Sequence, residues 1–297
     1  MFTRVLAVGF LACTLAAVAS SDPIWTKSSP GGGGSFQTVD VAADGKVLVG
    51  SDLSGAYLRS TAGTWQRLGK RDGLNVSTVV AVAWKPGQSL IALAGTKKGL
   101  FRTADGGQTW TLTGFSGYHV SAIAWKDDVV YVSGASSSTN GALVLRKSSD
   151  GGQTWSSDID HGIPTGRRAV KLAIDPQDPN EVWLLSGHDG YLAGAKELYR
   201  SSNGGANMAK ASDDTMKAID FALNPSNPSR ALLSTSVEGT DPSTSNPKDD
   251  GFGFLYVSNW SSQGLMDSWH PSRREGDADV HKASRGTSSQ DLRVHQG

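Results

Sequence analysis

The side chains that could move protons in this sequence lie in short polar stretches between runs of apolar residues. Ser51-Asp52-Leu53-Ser54, Thr96-Lys97-Lys98, Ser136 to Asn140, His188-Asp189 and Glu238 to Asp241 make one set. Arg71-Asp72, Asp158-Ile159-Asp160-His161, Arg167-Arg168 and Asp213-Asp214 make a second. A carboxylate can act as general base or, protonated, as general acid, and an imidazole can act as either near neutral pH. His270, His281 and His295 are spaced too widely for a metal site, and neither a metal nor another cofactor is expected. Polar residues also collect in turns for conformational reasons. The elements that hold these stretches therefore decide which of them converge.

Those elements repeat. Thr103-Ala104-Asp105-Gly106-Gly107-Gln108-Thr109-Trp110 returns 45 residues later as Ser148-Ser149-Asp150-Gly151-Gly152-Gln153-Thr154-Trp155, counting from residue 105 to 150. Trp65 precedes Trp110 by the same interval, 65 to 110, in the shorter copy Ser60-Thr61-Ala62-Gly63-Thr64-Trp65. A worn copy, Ser201 to Met208, has Asn203 in place of the aspartate. A period of about 40 to 50 residues in a β-rich sequence signals propeller blades. Asp bonds its own backbone nearby, Gly-Gly supplies positive φ, and Trp starts the next strand with a large ring to bury. These copies resemble the Asp-box of sialidases and related propellers. The resemblance implies a structural turn at Asp105, Trp110, Asp150, Trp155 and Asn203, away from the active centre.

Between the turns each unit repeats one plan. An alternating strand such as Val79 to Trp84 or Val120 to Trp125 is followed by an apolar one such as Leu90 to Leu93 or Val182 to Leu185. A third then leads to the turn, as in Leu100 to Arg102. Period-2 alternation bounded by Gly, Pro, Asn and Asp is the strand signal. The expected fold is an all-β propeller of about five four-stranded blades, near 36–68, 78–113, 119–158, 168–210 and 216–265. In such blades the repeated turns lie on one face of the disc. The polar stretches listed at the outset join strands two and three, or one blade to the next, and so ring the opposite face.

The ends read differently. Met1 to Ala19 has Arg4, an apolar run from Val5 to Val18 and a small-residue Ala17-Val18-Ala19, which predicts a cleaved secretory signal and an extracellular protein without a membrane anchor. The only cysteine, Cys13, falls inside it, so no disulfide is expected in the mature chain. Asn75-Val76-Ser77 and Asn259-Trp260-Ser261 fit the N-glycosylation pattern. Residues 266–297 hold hardly an apolar pair and are expected to be a disordered polar tail. Lys plus Arg equals Asp plus Glu at 28 each, a balance that argues against a nucleic-acid partner.

One of the polar stretches stands apart. Gly31 to Gly34, then Gly50-Ser51-Asp52-Leu53-Ser54-Gly55-Ala56-Tyr57-Leu58-Arg59, resembles the opening of family 74 of the glycoside hydrolases, which cleave xyloglucan. In that family a Gly-rich lead precedes a T-D-V/I-G-G-A-Y-R segment. Here Ser51 stands for Thr, Leu53-Ser54 for Val/Ile-Gly, and Leu58 is extra. The likeness is clearest over residues 25 to 160 and fades towards 265. It implies that Asp52 is the general base of an inverting mechanism, with xyloglucan or a related β-glucan as partner. Tyr57, in the same segment, and His188 and Asp189, in the ring of polar stretches, are candidate substrate contacts. The family's general acid comes from a second propeller, and its blades form seven-membered rings. Inversion needs two carboxyl groups about 6.5 to 9.5 Å apart. Asp52 supplies one, so weak or absent activity is expected, with a non-catalytic propeller binding glycan or protein as the alternative. As part of a seven-bladed ring, Phe36 to Val41 and the stretch near Leu255 to Val257 would be open sheet edges prone to self-association. Sialidase chemistry lacks its Arg-Ile-Pro opening: Gly162-Ile163-Pro164 comes late and carries no arginine.

Overall fold

The computed structural model describes residues 28, 30–31, 33–136, 142–188, 196–212, 218–226, 231–236, 253–260 and 266–271. The proposed signal, the stretch 137–140, Asp189, Asp213-Asp214, Glu238 to Asp241 and the tail after Pro271 lie outside them.

The chain is a succession of antiparallel sheets, each built from consecutive strands. The first contains β1 (Phe36–Val41), β2 (Val47–Ser51), β3 (Gly55–Arg59) and β4 (Trp65–Leu68) in that order. The second contains β5 (Val79–Trp84), β6 (Ala92–Thr96), β7 (Gly99–Thr103) and β8 (Thr111–Gly114). The third has β9 (Tyr118–Lys126), β10 (Val129–Ser136) and β11 (Leu143–Ser148). The fourth has β12 (Arg167–Ile174), β13 (Val182–His188), β14 (Glu197–Ser201) and β15 (Ala209–Lys210), and the fifth β16 (Ala218–Leu223), β17 (Ala231–Ser236), β18 (Gly253–Trp260) and β19 (Met266–Pro271).

Three sequence expectations are corrected here. The third sheet has three strands rather than four. Where a fourth should run, Ser156 and Ile159 each donate one backbone bond to β11, and the chain then turns Ile159 inwards against the core. The polar tail does not begin at 266: Met266–Pro271 pairs with β18, because an outer strand needs a backbone ladder on one side only and no apolar pairs. Leu255 to Val257 is not an open edge either. It lies within β18, which is paired with β17 and β19 on its two sides.

Successive sheets pack face to face, and the core is the set of seams between them. Leu48, Leu68, Val82 and Trp84 fill the first seam, and Leu93, Phe115, Val120 and Val132 the second. Tyr131, Leu145, Leu172 and Leu184 fill the third, and Trp183, Leu185, Phe221 and Leu233 the fourth. Inner strands are also stitched across the seams. Asp40 Oδ2 accepts from the Trp84 amide at 2.6 Å, Ser121 Oγ donates to the Ala169 carbonyl at 2.7 Å, and Lys171 Nζ donates to the Phe221 carbonyl at 2.7 Å. Among the described strands the fifth sheet makes no substantial contact with the first.

The repeated turns connect β7 to β8 and β11 to the stretch after it. Asp105 Oδ1 accepts from Thr103 Oγ1 and from the amides of Gln108 and Thr109, at 2.8, 3.0 and 2.9 Å, while Oδ2 accepts from Thr109 Oγ1 at 2.5 Å. Asp150 repeats the pattern with Ser148, Gln153 and Thr154. The second glycine of each turn rests on a leucine of the preceding sheet. A Cβ at Gly107, Gly152 or Gly205 would lie 3.1, 3.3 or 2.7 Å from Leu58, Leu93 or Leu145, and all three glycines have positive φ. Trp110 and Met208 are then buried in the seams, with Trp155 packed at the edge of another. Each turn thus clamps its own sheet to the one before.

Candidate active site

Asp52 sits in the β2–β3 connection, at the end of the first sheet remote from the repeated turns. The Gly-rich lead folds back onto it. The Ser35 amide donates to Asp52 Oδ1 at 2.8 Å, and the Asp52 amide donates to the Ser35 carbonyl at 3.1 Å. Ser54 Oγ donates to the Gly33 carbonyl at 2.7 Å, and Thr78 Oγ1 donates to the Asp52 carbonyl at 2.7 Å. Glycine at 34 is required twice over: its φ is +93°, and a Cβ there would lie 2.3 Å from Asp52 Oδ1. Among the described residues nothing donates to Oδ2. The carboxylate is therefore oriented by one oxygen and available through the other.

The other titratable groups on this face are mostly committed. Asp72 is buried and closes the short 3-10 turn Lys70–Asp72, with Oδ2 accepting from the Gly69 amide at 2.9 Å. Asp158 pairs with Arg146 at 2.6 Å. His161 Nε2 is 2.9 Å from the Leu143 carbonyl and Nδ1 accepts from the Ile163 amide at 3.0 Å, so both ring nitrogens are engaged by the backbone. Asp160 is exposed, but no donor among the described residues holds its carboxylate in one orientation. Of these groups Asp52 alone combines orientation with an open oxygen.

Sequence reasoning missed a second cluster, centred on Glu197 at the start of β14. Tyr199 Oη donates to Glu197 Oε2 at 2.7 Å, Arg167 reaches the same oxygen at 2.9 Å, and Lys210 holds Oε1 at 2.9 Å. Burial works to raise the Glu197 carboxyl, but the bonds from Tyr199 and Lys210 and the two cations outweigh it and hold it below its ordinary value. Burial, with the Glu197 bond and charge added, pushes the Tyr199 phenol up to about 12. A tyrosine in that state is a donor within the core and a poor nucleophile. The only sequence signal was two basic residues at one strand start and a glutamate at another, which become neighbours through sheet pairing.

Tyr57 is almost completely buried, with the edge of its ring against Phe36, centroids 6.0 Å apart. Its hydroxyl has no partner among the described residues. The exposed aromatic beside Asp52 is instead Phe36, the register partner of Ser51, and Leu53 is exposed on the other side. His188 ends β13 opposite Arg167. Asn75 is exposed in the connection before β5, and Asn259 lies within β18. Among the described residues no three His, Cys, Asp or Glu side chains are grouped to hold a metal ion. Nor is any helix there long and apolar enough to cross a membrane.

No protein-family model matches the sequence, and no curated protein matches it. Solved structures do. Over 85% of its length the chain superposes on an ancestral enzyme of glycoside hydrolase family 74, with a TM-score of 0.59 and 22% identity. The chain has the propeller fold of family 74. The match spans 33% of that enzyme's chain, so the sequence corresponds to about a third of its length. Hydrazine synthase from Kuenenia stuttgartiensis superposes on 78% of the chain, over 65% of its own, with a TM-score of 0.53 and 10% identity. A TolB protein from Agrobacterium tumefaciens covers 80% of both chains with a TM-score of 0.51 and 13% identity. At these identities the likeness is one of fold.

Proposed function

We propose that this chain is a secreted, carbohydrate-active propeller that works on xyloglucan or a related β-1,4-glucan, with Asp52 as the base of an inverting hydrolysis. The observation that carries this reading is the posture of Asp52. One oxygen is pinned by the Ser35 amide and the other is open, on the face away from the structural turns. In that role the open oxygen takes a proton from a water molecule as the water attacks the anomeric carbon. A second carboxylic acid on the opposite side of the bond, about 6.5 to 9.5 Å away, must protonate the leaving oxygen. This chain offers half of that pair at Asp52, so turnover by the chain alone is slow.

The test is release of reducing ends from xyloglucan by the full chain and by Asp52→Ala. A positioned base contributes about 10² to 10⁴ in rate, and the variant is expected to lose that factor while retaining the fold. Equal rates in the two proteins would remove Asp52 from the mechanism.

Phe36 favours a second reading, glycan binding without cleavage. Its ring is half exposed beside Asp52, and the apolar face of a sugar stacks on such a ring. Retention on insoluble glucan that Phe36→Ala abolishes, with no product from either protein, would select it.

A further inference from the structure

We propose that Asn75 carries an N-linked glycan that stands at the edge of the Asp52 site. The inference rests on the secreted reading but not on catalysis by Asp52. Asn75-Val76-Ser77 has the residues that oligosaccharide transfer needs, an asparagine and a hydroxyl two positions on, with no proline between. So short a pattern also arises by chance, and its setting in the fold decides. Asn75 lies in the connection from β4 to β5, between two anchors. On one side Leu74 is fully buried, and its amide donates to the Gly69 carbonyl at 2.9 Å. On the other, Thr78 and Val79 are buried. Between them the Val76 amide donates to the Leu74 carbonyl at 2.9 Å, closing a three-residue turn with Asn75 at its apex. Asn75 and Ser77 are both exposed, and the Asn75 side chain bonds nothing among the described residues. A sugar on the Asn75 amide therefore breaks no contact of the described fold.

The same connection is bonded to the loop that holds Asp52. The Gly55 amide donates to the Ser77 carbonyl at 2.9 Å, and Thr78 Oγ1 donates to the Asp52 carbonyl at 2.7 Å. Three residues span at most about 11 Å, so Asn75 stays within that distance of Thr78. A glycan is bulky enough to reach from there over the Asp52 loop, where Leu53 is exposed. In the transfer, Asn75 Nδ2 forms a bond to the anomeric carbon of the first sugar and gives up a proton. The bond from that carbon to the diphosphate of a lipid-linked oligosaccharide donor breaks, and the lipid diphosphate leaves.

The test is expression of the full chain in a eukaryotic host, with Met1 to Ala19 as its leader, and a peptide map of the product in the medium. The peptide holding Asn75 is expected to carry the glycan, and its enzymatic release to leave an aspartate at that position. Asn75→Gln and Ser77→Ala are each expected to abolish it with an unchanged thermal melt. A secreted chain with Asn75 bare overturns the proposal and leaves the secreted reading standing. A bare chain retained in the cytosol overturns both. Placement is read by thiol labelling. Secreted Leu53→Cys is expected to react with a bulky maleimide several-fold more slowly than the same variant carrying Asn75→Gln or Ser77→Ala. Equal rates would remove the glycan from the edge of the site.

Discussion

Asp105 and Asp52 carry the same side chain and differ in how many donors surround it. Four donors converge on Asp105, and although burial works against the charge, the bonds from Thr109, Thr103 and Gln108 outweigh it and bring its pKa down from 3.8 to about 2. Asp150 is lowered by the same bonds from Thr154, Ser148 and Gln153. A carboxyl whose folded value is depressed contributes stability that is complete above its unfolded value and is lost as pH falls through the folded one. Asp105→Ala and Asp150→Ala are therefore expected to lower stability at neutral pH, each by about 1.5 to 3 kcal/mol, the worth of hydrogen bonds to a charged group. For Asp105 the gap from wild type should narrow as pH drops from 3.8 towards 2. Thermal melts of wild type and variants across that range check it, and a gap that stays constant with pH would contradict the charged role. Turnover, if measured, should not follow these substitutions.

At the scale of one element, the fourth copy of the turn shows what the aspartate contributes. Ser201 Oγ still reaches the Gly205 amide at 3.1 Å and Asn203 Oδ1 at 2.5 Å, so the serine half of the turn survives. The other half does not: no amide after Gly205 bonds the Asn203 side chain. The Asn207 amide, whose counterpart Thr109 bonds Asp105, instead reaches the Asp160 carbonyl at 3.0 Å, in the preceding interblade stretch, while the Met208 amide reaches the His161 carbonyl at 2.8 Å much as the Trp110 amide reaches the Asp72 carbonyl. That makes this turn dependent on its neighbour's loop, and local opening follows the weakest such unit. The expected outcome in hydrogen exchange is loss of protection at residues 205–208 before the corresponding amides at 107–110 and 152–155. Simultaneous exchange at all three turns would mean that the aspartate adds nothing local.

At the scale of the whole molecule, each described sheet packs on its neighbours in sequence, and such an arrangement gives a stability that is approximately a sum over seams. The fourth seam is carried by Trp183, fully buried, with its ring 6.4 Å from Phe221 and the Arg200 guanidinium 5.6 Å from its centroid. Arg200 is in turn paired with Glu181 at 2.7 Å. Truncating a buried Trp to Ala costs about 3 to 5 kcal/mol. Concentrated in one seam, that loss should uncouple the fifth sheet from the other four. Trp183→Ala is expected to convert a single calorimetric transition into two, the first with the smaller enthalpy. One transition at a lower temperature would show instead that the sheets unfold as a unit.

The sequence by itself determined the repeating unit. The 45-residue interval, the Gly-Gly turns and the alternating strands act through contacts within a few tens of residues, so their chemistry is visible in the letters alone. The placement of Asp52 and the repeated turns at opposite ends of the strands followed from strand order. The rest depended on which residues became neighbours across a seam. Tyr57 looks like a substrate contact in sequence, yet it is buried, while Phe36 one strand away holds the exposed position. Arg167, Glu197, Tyr199 and Lys210 form a cluster because three strands align them, and no spacing along the chain encodes that alignment. The outer strand at Met266–Pro271 escaped notice for the converse reason: a backbone ladder leaves little trace in side-chain pattern. Val39 and Leu232 are apolar strand residues like their buried counterparts. Only the packing around each one in the folded chain decides that they are exposed.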